Sequence, residues 1–186
     1  MKARLVVKGY IQIYGLDYGD TFSPVAKTSY GRLFLSIAAI HHWPLYQLDI
    51  KNAFLHVELQ EEVYMEQLPG FVAQGEPRLV CCLRRSLYGL KQSPQAWFGR
   101  FISVVQQFGM TRSEADHSVF YCHSSSDQCI YLVVYVDKIV ITGSDQDSIQ
   151  KLKQHLFHHF QTKDLGKLKY FLGIEVAQSR HSIFIS

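Results

Sequence analysis

Residues 129–142 read Cys129-Ile-Tyr-Leu-Val-Val-Tyr-Val-Asp-Lys-Ile-Val-Ile-Thr142, and this stretch decides the fold. Cys129 to Val136 is rich in β-branched and aromatic residues without polar alternation, the pattern of a strand buried on both faces. Ile139 to Thr142 is a second apolar run and reads as its hairpin partner, with Asp137 and Lys138 at the turn. Water solvates a turn carboxylate freely, so Asp137 alone is ordinary. A second carboxylate changes the reading, because Asp49 follows another apolar run, Trp43-Pro-Leu-Tyr-Gln-Leu48. Two carboxylates on adjacent strand ends can hold a divalent cation against phosphate oxygens.

Downstream of the hairpin, Ser144 or Asp145 opens a helix with Ile149, Leu152, Leu156, Phe157 and Phe160 on one face. His155, His158 and His159 in it have spacings a metal could use, but no Cys or acidic residue completes a set. A solvated basic helix end is the simpler reading. Leu165 to Val176 and Ser182 to Ser186 read as a closing hairpin.

Upstream, Ser118 to Cys122 is a strand. Before it lies a helix capped by Ser93, with Pro94 in its first position and Gly109 past its end. Trp97, Phe101, Val104, Val105 and Phe108 recur in that helix at core spacing. From Pro77 to Ser113 there is no acidic residue, whereas Arg78, Arg84, Arg85, Lys91, Arg100 and Arg112 are basic. Such a stretch suits a groove that tracks phosphates and lets bases or sugars pack on rings. The aromatics at helical spacing belong to the core, so groove roles fall to the basic residues and Tyr88.

Val63 to Met65 and Leu79 to Leu83 form a further strand pair, and Glu58, Glu61, Glu62 and Glu66 a solvated surface. Leu33, Phe34, Ile37, Ala38 and Ile40 mark a helix capped by Thr28 or Ser29 and ended by Trp43-Pro44. Thr21 to Val25 is extended, since a residue before proline avoids helix. Arg4 to Gly9 is a short opening strand.

The chain has 186 residues, 47% hydrophobic and 19% charged, enough for one sizeable α+β core. It reads as a single domain over residues 1–186, opening and closing abruptly as a fragment truncated at both ends. Its net charge of +3 confines any nucleic-acid contact to local patches. Cys81, Cys82, Cys122 and Cys129 lack disulfide spacing and read as buried thiols of a reducing compartment. With no signal peptide and no apolar run of transmembrane length, the expectation is a soluble intracellular protein, cytoplasmic or nuclear, with no membrane partner.

Seven stretches together resemble the reverse transcriptase of copia-type long-terminal-repeat retrotransposons, over essentially the whole chain. They are Lys2 to Tyr10, Thr21 to Lys27, Gln47-Leu-Asp-Ile-Lys-Asn-Ala-Phe-Leu-His56 and Glu62 to Gln67. The others are Ser86-Leu-Tyr-Gly-Leu-Lys-Gln-Ser-Pro-Gln-Ala-Trp97, Tyr131 to Asp137, and Asp164-Leu-Gly-Lys-Leu-Lys-Tyr-Phe-Leu-Gly-Ile-Glu-Val176. The resemblance implies a right-hand polymerase fold, fingers and palm, with an antiparallel palm sheet and packed helices. It implies DNA synthesis on an RNA or DNA template with primer and dNTP, using two Mg2+ ions. In an intact element the partners would include the RNase H and integrase segments of the Pol polyprotein.

By the same resemblance, Asp49 and Asp137 are the catalytic, metal-binding carboxylates, Asp137 being the first of the family's Tyr-x-Asp-Asp hairpin. Ile50 would offer its backbone beside Asp49, and Phe54 would lie beneath the incoming sugar. Arg4 would clamp the triphosphate and Lys91 would flank the template-nucleotide pocket. Phe171, Leu172 and Gly173 would grip the primer strand. The nucleic-acid contacts of Arg84, Arg85 and Tyr88 are read from the basic stretch itself, independently of the resemblance.

Two departures stand against this pattern. Lys138 occupies the position of the third carboxylate, exchanging a negative ligand for a positive charge. A unit charge about 4 Å away is worth roughly 4 kcal/mol at an effective dielectric near 20. Val57 stands where the family has glycine, and a β-branched residue is strained there if positive φ is required. The expectations are therefore an enzyme crippled at its metal site, or a non-catalytic remnant that at most binds primer–template weakly.

Overall fold

The computed structural model describes residues 5–19, 21, 26, 28–68, 70, 79–124, 127–179 and 183–185. Among the described residues three α-helices lie at α1 (Thr28–Ile40), α2 (Ser93–Gln107) and α3 (Gln146–His159). The strands are β1 (Tyr46–Ile50), β2 (Glu58–Glu66), β3 (Val80–Arg85), β4 (Thr111–Arg112), β5 (Val119–His123) and β6 (Cys129–Tyr135). They continue with β7 (Lys138–Gly143), β8 (Thr162–Lys167), β9 (Tyr170–Phe171), β10 (Ile174–Gln178) and β11 (Ile183–Ile185). All ladders between these strands are antiparallel, so the architecture is α+β. The chain divides into two compact units, residues 1–23 with 54–100, and residues 24–53 with 101–186.

The second unit is built on a six-stranded sheet in the order β4-β5-β6-β7-β1-β8. Its central strands carry the quoted stretch, and Leu132, Val133, Ile139, Val140 and Ile141 are all fully buried. One face is covered by α1 and the β9–β10 hairpin, which pack Phe34, Leu35, Ala38, Phe171 and Ile174 around Val133 and Val140. Toward the other face, Phe101 of α2 meets the rings of Phe120 and Phe160 at 5.8 and 6.2 Å.

The sequence placed α1 correctly but misjudged its face. Phe34, Leu35 and Ala38 are buried, whereas Leu33 and Ile40 are exposed. Helix α2 ends as expected: Gly109 has φ +97° and the Met110 N–H reaches back to the Val105 carbonyl, a Schellman closure. Its start is shifted by one residue. The first helical bond runs from the Ala96 N–H to the Gln92 carbonyl, while the Ser93 hydroxyl donates to the Leu87 carbonyl.

Helix α3 is capped by Asp145, whose carboxylate accepts the Ser148 N–H at 2.9 Å. Its buried face includes Lys153 where the sequence suggested Phe157, which is half exposed. The bond from Ser148, aided by Lys151, holds the Asp145 carboxyl below its ordinary range. A depressed carboxyl stabilises the fold above its unfolded pKa and is lost as pH falls through the folded one. Asp145→Ala is therefore expected to cost about 1 kcal/mol near neutral pH. The difference in urea midpoint between the two proteins should shrink from about pH 6 to about pH 3. A pH-independent difference would mean the charge is irrelevant to the cap.

The closing segment departs most from expectation. It is not one hairpin: its first part, β8, pairs with β1 as an edge of the main sheet, and β9–β10–β11 form a separate three-stranded sheet. In the first unit, β2 and β3 pair as expected, with Glu58, Glu61, Glu62 and Glu66 exposed. Among its described residues the opening strand makes one bridge, Val6 to Tyr88, and leads into a 3-10 turn at Gly9–Ile11. Gly9 and Gly89 approach so closely that a Cβ on Gly9 would fall on the Gly89 carbonyl. Arg4 and the Phe22 to Val25 segment lie outside the described residues.

Cys81 and Cys82 are exposed on β3 rather than buried, because their two-stranded sheet buries little of that strand; Cys129 is buried. Val57 is buried and is not among the positive-φ residues, so the strain foreseen there does not arise. Among the described residues no helix is long and apolar enough to cross a membrane.

Candidate active site at the Asp137 hairpin

The strands β6 and β7 meet with Tyr135 opposite Lys138, so the turn is Val136-Asp137, one residue earlier than the sequence suggested. Lys138 is therefore the first residue of β7. Val136 has φ +56°, and Asp137 is not in the positive-φ region, the pattern of a type II′ turn, whose first central position normally takes glycine. A β-branched residue there is strained by roughly 1–3 kcal/mol, a device that recurs where backbone geometry serves a site. The sequence reading missed Val136, whose apolar character hid its turn position.

Asp49 and Asp137 sit on neighbouring strand ends, as expected from the sequence. The Ile50 N–H donates to the Asp137 carbonyl at 2.8 Å, which ties the end of β1 to the hairpin turn. The amide of Ile50 is thus engaged in the sheet, and its side chain is buried. The same bond flanks the Asp49–Lys138 pair and makes it a non-hydrogen-bonded pair, in which facing side chains stand closest. On the other side of β1, Asp49 is in register with Lys163 of β8. Asp49 and Asp137 are partly buried, and Lys138 and Lys163 are exposed.

Phe171, Leu172 and Gly173 close the β9–β10 hairpin, with Leu172 and Gly173 both at positive φ (52° and 83°), as a type I′ turn requires. This hairpin packs on α1: a Cβ on Gly31 would meet Leu172 Cδ1 at 2.8 Å.

In the first unit the structure brings Phe54 and Tyr88 together edge-on, 5.1 Å between ring centres. Tyr88 is also bridged to Val6, and its carbonyl accepts the Val7 N–H. Arg84, Arg85 and Lys91 are exposed. Gln12, which the sequence reading passed over, accepts the Lys91 N–H at 2.9 Å and donates to the Gln92 side-chain oxygen at 3.1 Å. The Gln92 amide nitrogen is buried and has no hydrogen-bond partner among the described residues. Such a donor costs roughly 1–3 kcal/mol unless an acceptor arrives, which makes Gln92 a third residue missed, after Val136 and Gln12. Of the basic run, Arg112 is used structurally, donating to the His117 carbonyl at 3.0 Å.

A sequence profile described as reverse transcriptase (RNA-dependent DNA polymerase) matches residues 1–186. The chain belongs to the reverse transcriptase family. It is 43% identical over 185 residues to the retrovirus-related Pol polyprotein from transposon RE1 of Arabidopsis thaliana, covering 100% of this chain and 13% of that protein. It is 44% identical to that from transposon RE2 of the same plant, with 100% and 13% covered. With the polyprotein from transposon TNT 1-94 of Nicotiana tabacum it shares 43% over 181 residues, 97% of this chain and 14% of that protein. These are copia-type Pol polyproteins, and the chain is a reverse transcriptase domain of that type. It spans 13 to 14% of the length of these curated relatives.

Reverse transcriptases as a family generally depend on magnesium. Mg2+ demands near-octahedral oxygen coordination, and a pair of ions needs several shared oxygens. Asp49 and Asp137 supply two carboxylates. The next position, in register with Asp49, carries an ammonium, which offers no lone pair and repels a cation. Among the described residues no three His, Cys, Asp or Glu side chains converge. The residues present do not fit a two-magnesium centre.

Proposed function

We propose that this chain is the palm, with part of the fingers, of a right-hand reverse transcriptase that engages primer–template and nucleotide but has lost efficient nucleotidyl transfer. The observation that carries the reading is the register pairing of Asp49 with Lys138, next to the Asp137 turn. In the family's pattern that row would be acidic and would gather cations; in this chain a lysine stands in it. The remaining parts serve binding. Arg84, Arg85 and Lys91 follow template phosphates, while Phe54 and Tyr88 offer ring surface to a sugar or base. The Phe171-Leu172-Gly173 hairpin, braced by α1, supports the primer strand. Arg4 contacts the triphosphate, and Ile50 holds the Asp49 end of β1 against the turn.

Binding of a labelled primer–template duplex to the purified chain tests the interface. Affinity is expected to fall steeply with salt. The charge reversals Arg84→Glu, Arg85→Glu and Lys91→Glu together should weaken it and lower the log–log salt slope by about 2–3. Salt-independent binding, or an unchanged slope in the triple variant, would remove these residues from the interface.

A further inference from the structure

Asp49 lies between two lysines, Lys138 on β7 and Lys163 on β8, each in register with it across an antiparallel ladder. Residues in register share a face of the sheet, and directly opposed Cβ atoms stand about 4.5–5.5 Å apart. Two flexible ammonium stems therefore flank one carboxylate on one face, within reach of a common anion. Among the described residues neither lysine forms an ion pair with Asp49.

The acidic neighbour of Lys163 does not cancel it. Asp164 follows in β8, where successive side chains alternate faces, and is spent on the buried Lys153 of α3 at 2.9 Å. The row itself sets one carboxylate, Asp49, against two lysines, Lys138 and Lys163. An Asp in place of Lys138 would make it two carboxylates against one lysine. One residue sets the sign of the local charge, and so decides whether phosphates can approach without a cation.

We propose that the Lys138–Asp49–Lys163 row is a magnesium-independent polyphosphate site, taking the triphosphate of a nucleotide or inorganic tripolyphosphate. A polyphosphate packs several charges into the span of three strands, which matches two ammonium groups converging from either side of Asp49 better than singly charged phosphodiesters do. The proposal deepens the reading that this face receives nucleotide, and rests on it.

Isothermal titration of the purified chain with inorganic tripolyphosphate, and separately with dATP, in EDTA and in excess Mg2+, tests it. Both probes should bind in EDTA, and Mg2+ should not strengthen the binding. Lys138→Asp and Lys163→Gln should each weaken binding in EDTA about tenfold or more, as expected when a charged hydrogen bond is lost. Lys138→Asp should also make binding require Mg2+. Lys151→Gln, at an exposed position on α3, should change nothing. Circular dichroism of each variant checks that it folds, and Lys163→Gln keeps the backbone ladder of β8 intact.

No binding in EDTA, or binding indifferent to both Lys138→Asp and Lys163→Gln, overturns the proposal. Binding of dATP without tripolyphosphate does so too, since base and sugar would then carry it. Magnesium-dependent extension by the lysine form would instead sink the proposed loss of catalysis, a separate readout that leaves EDTA-stable binding standing.

Discussion

Lys138→Asp should raise magnesium-dependent primer extension about a thousandfold when both forms are placed in a Pol polyprotein completed with the family's other segments. The lysine removes a carboxylate oxygen and puts a positive charge in register with Asp49, beside the Asp137 turn. One unit charge at about 4 Å is worth roughly 4 kcal/mol at an effective dielectric near 20, and about 1.4 kcal/mol is tenfold in rate. The full swing is two charges, but an exposed lysine can turn into water and recover part of it. A factor near a thousand is what remains, with the lysine form close to background. Equal extension rates would mean that the lysine is harmless and the catalytic site intact.

Asp164→Ala is expected to destabilise the fold by about 3 kcal/mol, more than any surface change nearby. Lys153 is 5% exposed on α3, its ammonium 2.9 Å from the Asp164 carboxylate and 3.9 Å from the centre of the Tyr46 ring. Burial and Asp164 together push the Tyr46 hydroxyl above its ordinary pKa, and it donates to Gln146 at 2.8 Å. Removing the carboxylate strands a buried positive charge, which costs more than the pair contributes. Lys153→Met removes the charge itself and leaves Asp164 partly hydrated, so about 1 kcal/mol is expected. Urea unfolding of the two single variants and the double variant separates these cases. If Asp164→Ala proves no worse than Lys153→Met, the ammonium escapes to water and the pair is no anchor. The ion pair also pins β8 against α3 and β1, and with it the register that sets Lys163 beside Asp49.

The parts of the molecule governed by local physics were legible in the sequence. The apolar run at 129–142 made a hairpin because its β-branched residues can be buried on both faces. Gly109 ended α2 because only a residue tolerant of positive φ closes that turn, and Asp145 capped α3 through a carboxylate within reach of the Ser148 N–H. That Asp49 ends its strand beside the Asp137 turn was legible too, since each follows an apolar run. Local pattern was less sure of faces and ends. It put Phe157 in the core and left out Lys153, because periodicity scores apolar character and cannot see an ion pair that makes a charge tolerable inside. It set the turn one residue late, because the register between β6 and β7, which a residue's own character does not encode, forces Val136 into positive φ.

What tertiary structure alone decided is the company Asp49 keeps. Sequence gave Lys138 as a substitution in a motif and Lys163 as one basic residue among many. Strand β8 was read as part of a closing hairpin, since nothing in its own residues names its partner. Hydrogen-bond pairing between β1 and β8 is settled by the whole sheet, through burial of Leu48 and Ile50 on one face and the Lys153–Asp164 anchor beneath. That pairing turns a single altered charge into a row of two lysines about one carboxylate, because register is a property of chain pairs and composition belongs to each chain segment alone.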